Sequence, residues 1–251
     1  VYYMTKSRDD AEGAGKRFGS EEEVRQAYDL GVVEMHAKIE LRLDDGSWIE
    51  TTVGRAIFNE IVPDELGYIN DLLDKKSIRK IIGRVFKQTD IPTTAEFLDR
   101  LKKLGFEEST MGGLTFSLED IVVPEEKAQM VEEAEEEVEE ARQKYEMGFI
   151  TDNERYNQVI DIWTRVNNNV SDVLFNTLKE HREGFNHIYM AADSGARGSQ
   201  EQIRQLGGMR GLMAKPQKSK VGSGGEIIEN PILSNFKDGL SVQEYFISTH
   251  G

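Results

Sequence analysis

Cysteine is absent from the sequence, and this absence removes several classes of protein at once. Without a thiol, the chain has no disulfide framework, no cysteine-based zinc site and no cysteine nucleophile. No apolar run approaches the ~18 residues that a membrane span requires, and no charged-then-apolar signal segment opens the chain. We therefore expect a cytoplasmic protein that makes no contact with a membrane.

Apolar residues are also scarce, at 38% of the chain against 31% charged residues. This balance is low for one compact globule and favours an elongated shape with helical hairpins. A length of 251 residues predicts one or two domains. The 46 acidic and 31 basic side chains give a net charge of −15. An acidic chain is a poor autonomous nucleic-acid binder, because phosphate affinity depends on clustered lysine and arginine.

Motifs for metal or covalent catalysis are missing as well. The four histidines, His36, His181, His187 and His250, show no metal-binding spacing such as His-Glu-x-x-His. The sequence contains no Walker loop and no Gly-x-Ser-x-Gly nucleophile elbow. We expect no metal or cofactor to be bound by this chain on its own.

The N-terminal part of the sequence predicts a mixed α and β region. Alternating apolar and charged residues from Glu34 to Leu43 predict a strand, and Asp45-Gly46 predicts a turn into a second strand at Trp48–Val53. Helical spacing predicts a helix from Glu21 to Leu30, capped by Ser20. Further expectations are a short strand at Val1–Met4, a strand or helix at Gly54–Val62, a helical pattern at Tyr68–Lys87 and a helix at Thr94–Leu104 ended by Gly105.

The clearest pattern is a pair of apolar runs with heptad-like spacing on either side of Gly148. Its positions are Val131, Ala134, Val138, Ala141 and Tyr145, followed by Tyr156, Val159, Trp163, Val166, Val170 and Val173. Two such runs joined by a short glycine-containing turn predict a long antiparallel helical hairpin. The residues from Glu132 to Glu140 are almost all glutamate, which fits either an ordinary solvated face or a charged surface for a partner.

A glycine-rich loop, Asp193–Ser199, contains a single arginine. Glycine on both sides of Ala196-Arg197 lets the backbone approach a ligand or another backbone closely. One guanidinium in such a loop suits a phosphate or a carboxylate, and the alternative is that the loop serves packing alone. A local basic island follows, formed by Arg204, Arg210 and Lys215.

The C-terminal part is irregular and rich in glycine. A helical stretch around Gln202–Leu206 precedes Gly208, Gly211 and the pair Met209/Met213, which predict close packing against a partner element or core filling. Residues 218–225 predict a flexible linker, and Ser241–Ile247 predicts the first turns of a helix. Because the sequence starts at Val1 without methionine and stops just after an apolar run, we expect an internal piece of a longer protein.

Several stretches of the chain occur together and in one order. They are Tyr2–Thr5, Thr52–Ala56, Glu154–Asn157, Ile160–Trp163, Tyr189–Ser199, Gln202–Leu206, Gly208–Pro216 and Tyr245–Gly251. In sequence and order they resemble the β′ subunits of bacterial DNA-directed RNA polymerases. The resemblance covers essentially the whole chain; it is most specific in the last third and loosest from Asp64 to Leu118.

The resemblance implies an α+β segment that lines the secondary channel, through which nucleoside triphosphates enter. Its parts would be a pore domain with a β-hairpin and helices at residues 1–122, a rim coiled coil at 123–183, an F-loop-like segment at 184–217, and a linker with the start of the bridge helix at 218–251. The family's catalytic sequence Asn-Ala-Asp-Phe-Asp-Gly-Asp, which binds the active-centre Mg²⁺, is absent, as is the trigger loop. Since two-metal phosphoryl transfer needs those carboxylates, we expect nucleotidyl transfer only from the whole polymerase.

The resemblance also implies roles for individual residues. Arg197 would contact the triphosphate of the incoming nucleotide, and Glu154, Asn157 and Asp161 would dock Gre-type cleavage factors on the rim. Gln158 stands where some members have a basic residue, which bears on the choice of factor. The trigger loop and bridge helix would be supported by Gln202, Gln205, Met209, Arg210, Met213, Phe246 and His250. For a guanosine tetraphosphate site, Asp99 fits the family pattern but Lys103 replaces a tyrosine, so that site is not assigned.

The implied partners are the β, α and ω subunits, Gre-type factors and related secondary-channel regulators, and nucleoside triphosphates, with DNA and RNA reached only through the whole enzyme. Two other hypotheses remain. A stand-alone acidic coiled-coil adaptor for a basic protein partner explains the glutamate run but gives the glycine-arginine loops no purpose. A small anion-binding enzyme centred on Arg197 lacks a base or nucleophile beside the arginine.

Overall fold

The computed structural model of the chain describes residues 1–215 and 227–250, which form two compact units. The first unit comprises Val1–Thr115 together with Asp193–Ala196. The second comprises Phe116–Ala192 and the described residues from Arg197 onward. The linker expected at residues 218–225, as well as Pro216 and Gly251, lies outside the described residues.

The fold is α+β, as expected, with helices predominating over a single described sheet. The strands are β1 (Arg17–Phe18), β2 (Lys38–Arg42) and β3 (Trp48–Thr52). The helices are α1 (Tyr2–Thr5), α2 (Glu21–Asp29), α3 (Val53–Asn59), α4 (Lys75–Gln88), α5 (Ile91–Met111), α6 (Glu126–Glu146), α7 (Asp152–Glu180), α8 (His187–Asp193), α9 (Gln200–Gly207) and α10 (Val242–His250). Short 3-10 turns lie at Asp64–Leu66, Leu118–Asp120 and His181–Gly184.

The predicted β-hairpin is present in the first unit. β2 pairs with β3 in antiparallel register, with Leu41 opposite Ile49, and β1 pairs with β2 in parallel. At the turn, Gly46 adopts φ +84°, which favours glycine, and the Asp45 carboxylate accepts a hydrogen bond of 2.8 Å from the Ser47 amide. The helix predicted from Glu21 to Leu30 is also confirmed as α2, and the Ser20 hydroxyl caps it by accepting a hydrogen bond from the Glu23 amide.

The short strand expected at Val1–Met4 is wrong, because these residues form the one-turn helix α1. The Thr5 amide donates to the Val1 carbonyl at 3.1 Å, and Met4 is completely buried. The Met4 carbonyl lies so close to α3 that a β-carbon at Gly54 would be 1.8 Å from its oxygen. Packing against α3 therefore decides the local structure here, and it overrides the strand preference of the sequence. The segment left open between strand and helix forms α3.

Two helix boundaries differ from expectation in α4 and α5. α4 begins only at Lys75, because the Asp74 carboxylate caps it by accepting a hydrogen bond of 2.7 Å from the Ser77 amide. In the chain before it, the Ile69 amide donates to the Asn59 side-chain oxygen and the Ile69 carbonyl accepts from the Asn59 side-chain nitrogen, both at 2.8 Å. α5 continues through Gly105, which does not have the positive φ of a C-cap. A glycine inside a helix costs only about 1 kcal/mol. The helix ends instead before Gly113, which adopts φ +55°.

The long helical hairpin in the second unit is confirmed. α6 and α7 pack along the predicted seam, except that Tyr145 is 43% exposed, and a turn with Gly148 at φ +76° joins the two helices. The buried cluster of the hairpin contains Ala134, Val138, Val159, Trp163, Val166, Val170 and Met209. The helix break expected after Leu178 is also present, and two residues without glycine's freedom, Arg182 and Glu183, have φ +53° and +56° there. Arg182 is held in place by a 2.7 Å ion pair with the buried carboxylate of Asp120.

Candidate functional site

The tip of the hairpin is organised by the first turn of α7. The Thr151 hydroxyl oxygen accepts a hydrogen bond of 3.3 Å from the Glu154 amide, and the Glu154 carboxylate accepts hydrogen bonds from the Thr151 amide at 2.8 Å and its hydroxyl at 2.9 Å. This reciprocal capping box fixes the start of the helix. The hydrogen bonds from Thr151 hold the pKa of Glu154 below its usual range. Glu154 is therefore an ionised, exposed carboxylate held in one position.

Glu154, Asn157 and Asp161 lie on one face of α7. Their spacing of three and four residues brings them to one stripe along the helix, and all three side chains are exposed. The buried seam residues Val159, Trp163 and Val166 occupy other positions of the same helix. The structure thus places the expected docking residues together on a rigid, capped helix; we name this stripe the docking face.

The glutamate run from Glu132 to Glu140 is exposed along α6. Glu137 pairs with Arg165 of α7, while Glu139 and Glu140 lie 3.8 Å from Arg142 and 3.7 Å from Lys144. These exposed pairs contribute little to stability, because water and salt screen them. The hairpin therefore presents an acidic surface along α6.

A second set of contacts at the hairpin tip was missed by sequence reasoning. Arg155 makes a bidentate ion pair with Glu229, at 2.8 and 3.0 Å, and also reaches the Asp152 carboxylate at 2.8 Å. The Tyr156 hydroxyl donates to the Ile227 carbonyl at 2.9 Å and accepts from the Ile227 amide at 3.1 Å. We name Arg155, Tyr156, Ile227 and Glu229 the clasp. No signal in the sequence pairs residues 74 positions apart, since neither periodicity nor a local motif links them.

The loop with Arg197 is shaped by its glycines. Gly195 and Gly198 adopt φ +70° and +82°, so both positions require glycine's freedom. The Arg197 amide donates to the Ala191 carbonyl at 3.0 Å, and its side chain is exposed. After the loop, Ser199 and Gln202 form a capping box at the start of α9, with hydrogen bonds of 3.0 and 3.2 Å. The loop thus presents an exposed guanidinium on a constrained backbone.

The basic island expected around Arg197 is only partly available. Arg204 is buried and pairs with Glu201, so its charge is already compensated. Arg210 lies over the ring of Phe236, with the guanidinium carbon 5.4 Å from the ring centroid. This cation–π contact between Arg210 and Phe236 stabilises the segment that contains Arg210.

The residues expected to support other elements have distinct contacts. Met209 is completely buried in the hairpin cluster, so its role in this structure is to fill the core. Gly211 packs closely against Asn167, because a β-carbon at this position would lie 3.0 to 3.1 Å from the Asn167 amide group. The Gln205 carbonyl accepts a hydrogen bond of 3.0 Å from the Phe236 amide, and the Met213 carbonyl accepts one of 2.8 Å from the Ile228 amide. Gln202 acts in the capping box of α9.

An apolar hollow of about 550 Å³ lies beside α10. Phe236, Val242, Tyr245 and Phe246 are among its lining residues, and Phe246 is 58% exposed. Arg210 and Phe246 are thus linked through Phe236, which contacts one and shares the hollow with the other. The side chain of His250, the last of the expected support residues, lies outside what the structure describes.

Comparison with known proteins identifies the family to which these features belong. A family model described as RNA polymerase Rpb1, domain 3, matches residues 1–121, and one described as RNA polymerase Rpb1, domain 4, matches residues 150–237. The DNA-directed RNA polymerase subunit β′ of Salinibacter ruber is 64% identical over 255 residues, which covers 100% of this chain and 18% of that protein. The chain belongs to the RNA polymerase β′ family.

Two further β′ relatives show the same extent of similarity. The subunits of Bacteroides fragilis strain YCH46 and Porphyromonas cangingivalis are 55% and 54% identical to this chain over 259 residues, and each match covers all of this chain. The chain spans about a fifth of the length of these relatives, between 18% and 22%. The resemblance drawn from the residues alone is therefore confirmed at the level of the family.

The β′ family's pattern at Asp99 and Lys103 can now be compared with the structure. Both side chains are exposed on α5. Asp99 pairs with Lys102 at 2.8 Å, and Lys103 lies 3.7 Å from Glu107. These are ordinary pairs within one helix, and the guanosine tetraphosphate site stays unassigned.

Two histidines of this β′ segment, His36 and His181, make local structural contacts. His36 is buried, its Nδ1 lies 3.0 Å from the Lys6 carbonyl oxygen, and burial lowers its pKa. His181 Nδ1 lies 2.9 Å from the Asn186 amide nitrogen. Within residues 1–215 and 227–250, no group of three or more potential ligands is arranged to hold a metal ion. Among the same residues, no helix has the length and apolar content needed to cross a membrane.

Proposed function

We propose that this chain acts as the secondary-channel segment of the β′ subunit in a whole DNA-directed RNA polymerase. It would line the nucleotide entry pore, dock cleavage factors and related regulators on the helical hairpin, and support the trigger loop and bridge helix. The single observation that carries the proposal is the docking face, a stripe of three exposed polar side chains on a capped helix of a β′-family hairpin. The division into pore (1–122), rim (123–183), F-loop-like (184–217) and bridge-helix (218–251) parts belongs to the same proposal.

In this proposal the chemistry of RNA synthesis comes from the rest of the polymerase. The active-centre Mg²⁺ would be held by carboxylates outside this chain, and the chain would meet the β, α and ω subunits, and DNA and RNA, only in the assembled cytoplasmic enzyme. Its own residues would supply an acidic hairpin, the exposed arginine of the glycine-rich loop and a docking surface. The stand-alone adaptor hypothesis is favoured by the exposed glutamate run alone and is the second candidate.

The docking face gives the first prediction. Asn157→Ala and Asp161→Ala, each made in the whole polymerase, are expected to weaken binding of a purified Gre-type cleavage factor by roughly fivefold, which corresponds to about 1 kcal/mol. Both side chains are exposed, so the helix should be unaffected. Titration of the labelled factor measures the affinity, and circular dichroism measures helicity.

Asn169→Ala is the matched control for that titration, because Asn169 is exposed on the same helix but lies far along the chain from the tip. Its factor affinity should equal that of the unmodified enzyme. If Asn157→Ala and Asp161→Ala bind the factor as tightly as the control, the hairpin is not the docking site. Binding of a basic protein partner that depends on Glu132–Glu140, with no effect of the two substitutions, would favour the adaptor instead.

Arg197 gives the second prediction. In the whole polymerase, Arg197→Ala is expected to raise the KM for nucleoside triphosphates by roughly 5- to 150-fold, since a lost charge-assisted contact costs about 1–3 kcal/mol. Arg142→Ala removes an exposed arginine from the hairpin and should leave the KM unchanged. Single-nucleotide addition at varied substrate concentration separates KM from kcat. Unchanged values of both for Arg197→Ala would mean that the loop serves packing alone.

A further inference from the structure

The clasp fastens the first turns of α7 to a distant part of the chain. The guanidinium of Arg155 uses one edge for the two Glu229 oxygens and shares a nitrogen with Asp152, while its carbon lies 5.7 Å from the centroid of the Tyr145 ring. Only 13% of the Arg155 side chain is exposed. A bidentate arginine–carboxylate pair has a fixed geometry, so it sets orientation as well as distance. Arg155 is therefore a rigid contact.

Tyr156 makes the fastening a two-point one. Its hydroxyl satisfies both the amide and the carbonyl of Ile227, at 3.1 and 2.9 Å, as the backbone of a neighbouring strand would. Glu229 is two residues further on and holds Arg155. The adjacent residues Arg155 and Tyr156 of α7 thus hold the segment at two points, Glu229 and Ile227.

From the clasp, a ladder of backbone hydrogen bonds continues toward the F-loop-like segment. Ile227 forms a bridge with Ala214, and the Ile228 amide donates to the Met213 carbonyl at 2.8 Å. Gly211 and Ile232 exchange two hydrogen bonds of 2.9 Å. The residues from Ile227 to Ile232 therefore run antiparallel to those from Gly211 to Ala214, and the clasp holds one end of this pair.

The path ends at the start of α10. The Arg210 amide donates to the Ser234 carbonyl at 3.2 Å, and the Ser234 amide and hydroxyl donate to the Glu244 carboxylate at 3.0 and 2.8 Å. The Ser241 amide also donates to the Glu244 carboxylate at 2.9 Å, and the Ser241 hydroxyl accepts from the Glu244 amide at 3.3 Å; this reciprocal pair caps α10. One continuous set of polar contacts thus links the first turn of α7 to the first turn of α10.

Both carboxylates on this path stay ionised at neutral pH. Hydrogen bonds from Arg155 hold the pKa of Glu229 below its usual range. Partial burial raises the pKa of Glu244, but the hydrogen bonds from Ser241 and Ser234 outweigh it and lower the pKa to about 2. Protonation near neutral pH therefore does not break these contacts.

We propose that Arg155 and Glu229 are positioning residues that transmit factor docking from the hairpin tip to the start of α10. Arg155 and Tyr156 lie between Glu154 and Asn157 in the chain, so a factor bound to the docking face contacts the same helical turn that the clasp holds. In this proposal, the hydrogen bonds of the clasp and the ladder pass a shift of that turn to residues 227–234 and with them to the cap of α10. This inference rests on the proposed function, since it assumes that a factor docks on the hairpin of a whole polymerase.

The test compares charge reversals in the whole polymerase with a purified Gre-type cleavage factor. Arg155→Glu and Glu229→Arg each place like charges opposite one another, and the double variant restores an opposite pair. At saturating factor, each single variant is expected to lose at least fivefold in factor-stimulated RNA cleavage, while its affinity for the factor changes less than threefold. The double variant should return the stimulated rate to within twofold of the unmodified enzyme.

One control and one further clasp variant make the outcome specific. Arg165→Glu with Glu137→Arg exchanges an exposed ion pair between α6 and α7, and neither its singles nor its double should change the stimulated rate. Tyr156→Phe keeps the ring and removes only the hydroxyl, so it loosens the clasp without introducing a charge. Amide hydrogen exchange in residues 209–214 and 227–234 should become faster in the two single clasp variants and in Tyr156→Phe, and normal in the double clasp variant.

The results separate this inference from the proposed function. Loss of factor affinity that fully accounts for the loss of rate, or full stimulation in the single variants, would overturn the transmission. Unchanged hydrogen exchange in Arg155→Glu would show that the clasp does not fasten the segment. A polymerase that binds no factor through the docking face, detected with Asn157→Ala, would overturn the proposed function and the transmission with it, whereas intact docking without transmission overturns only this inference.

Discussion

The substitution Gly54→Ala is expected to destabilise the first unit by about 3 kcal/mol or more. A β-carbon at this position would lie 1.8 Å from the Met4 carbonyl oxygen and 2.7 Å from its carbon, so it meets backbone and not a side chain that could rotate away. α1 and α3 would have to separate, and Met4 and Ala56, both completely buried, would lose contacts. Amide hydrogen exchange at Ala56–Phe58 measures the free energy of opening.

Gly105→Ala is the matched control for that measurement. Gly105 lies inside α5, and a β-carbon there would meet no atom within 4 Å. The alanine should therefore stabilise the unit by up to about 1 kcal/mol, because alanine loses less backbone entropy in a helix. Equal exchange rates in Gly54→Ala and the unmodified chain would contradict the close approach of α1 to α3. A destabilising effect of Gly105→Ala would contradict the continuous helix.

The substitution Val138→Asp is expected to destabilise the hairpin by about 3–5 kcal/mol, the cost of leaving a buried charge without a partner. Val138 is 5% exposed and belongs to the same cluster as Val159 and Trp163. An aspartate at this position cannot reach water without opening the seam between α6 and α7. Hydrogen exchange of the amides around Trp163, on the opposite helix, measures the decrease in the free energy of opening the hairpin.

Ala128→Asp places the same side chain on the exposed face of α6, in its first turn. Its effect should stay within about 0.5 kcal/mol, as for most surface substitutions. A hairpin that opens with the same free energy in Val138→Asp and Ala128→Asp would show that the register of the seam is wrong.

The hairpin could be predicted from the sequence because its information is local and periodic. Steps of three and four between apolar residues define the seam, and Gly148 with Thr151 defines the turn. The β-hairpin was predictable for the same reason, since Asp45-Gly46 separates two alternating runs. Each of these elements is decided by residues within a few positions of one another.

Contacts between distant segments decided the places where prediction failed. α1 is a helix because Met4 packs on Gly54. The two residues are far apart in the sequence, so the local pattern of apolar and polar residues cannot predict this contact. The sequence pattern predicts a helix end at Gly105, but Gly105 lacks the positive φ of a glycine C-cap, which Gly113 adopts. The paired positive φ angles of Arg182 and Glu183 depend on the buried carboxylate of Asp120, more than sixty residues earlier in the chain.

The candidate site was predictable in part. Spacing alone predicts that Glu154, Asn157 and Asp161 share a face, but their role in docking came from the resemblance to the β′ family, because exposed polar residues carry no periodic signal. Neither residue spacing nor the family resemblance predicts the clasp. Arg155 and Glu229 resemble any surface charges in the sequence, and only the fold brings them together.

We propose above that this chain is the secondary-channel segment of a larger catalytic subunit. Reading the coding sequence on both sides of it tests this most directly. If the chain is such a segment, we expect an in-frame Asn-Ala-Asp-Phe-Asp-Gly-Asp loop upstream and, directly after Gly251, a helix that continues α10. A start codon immediately before Val1 together with a stop codon immediately after Gly251 would show that the chain is not such a segment, because it would then have no catalytic centre to regulate.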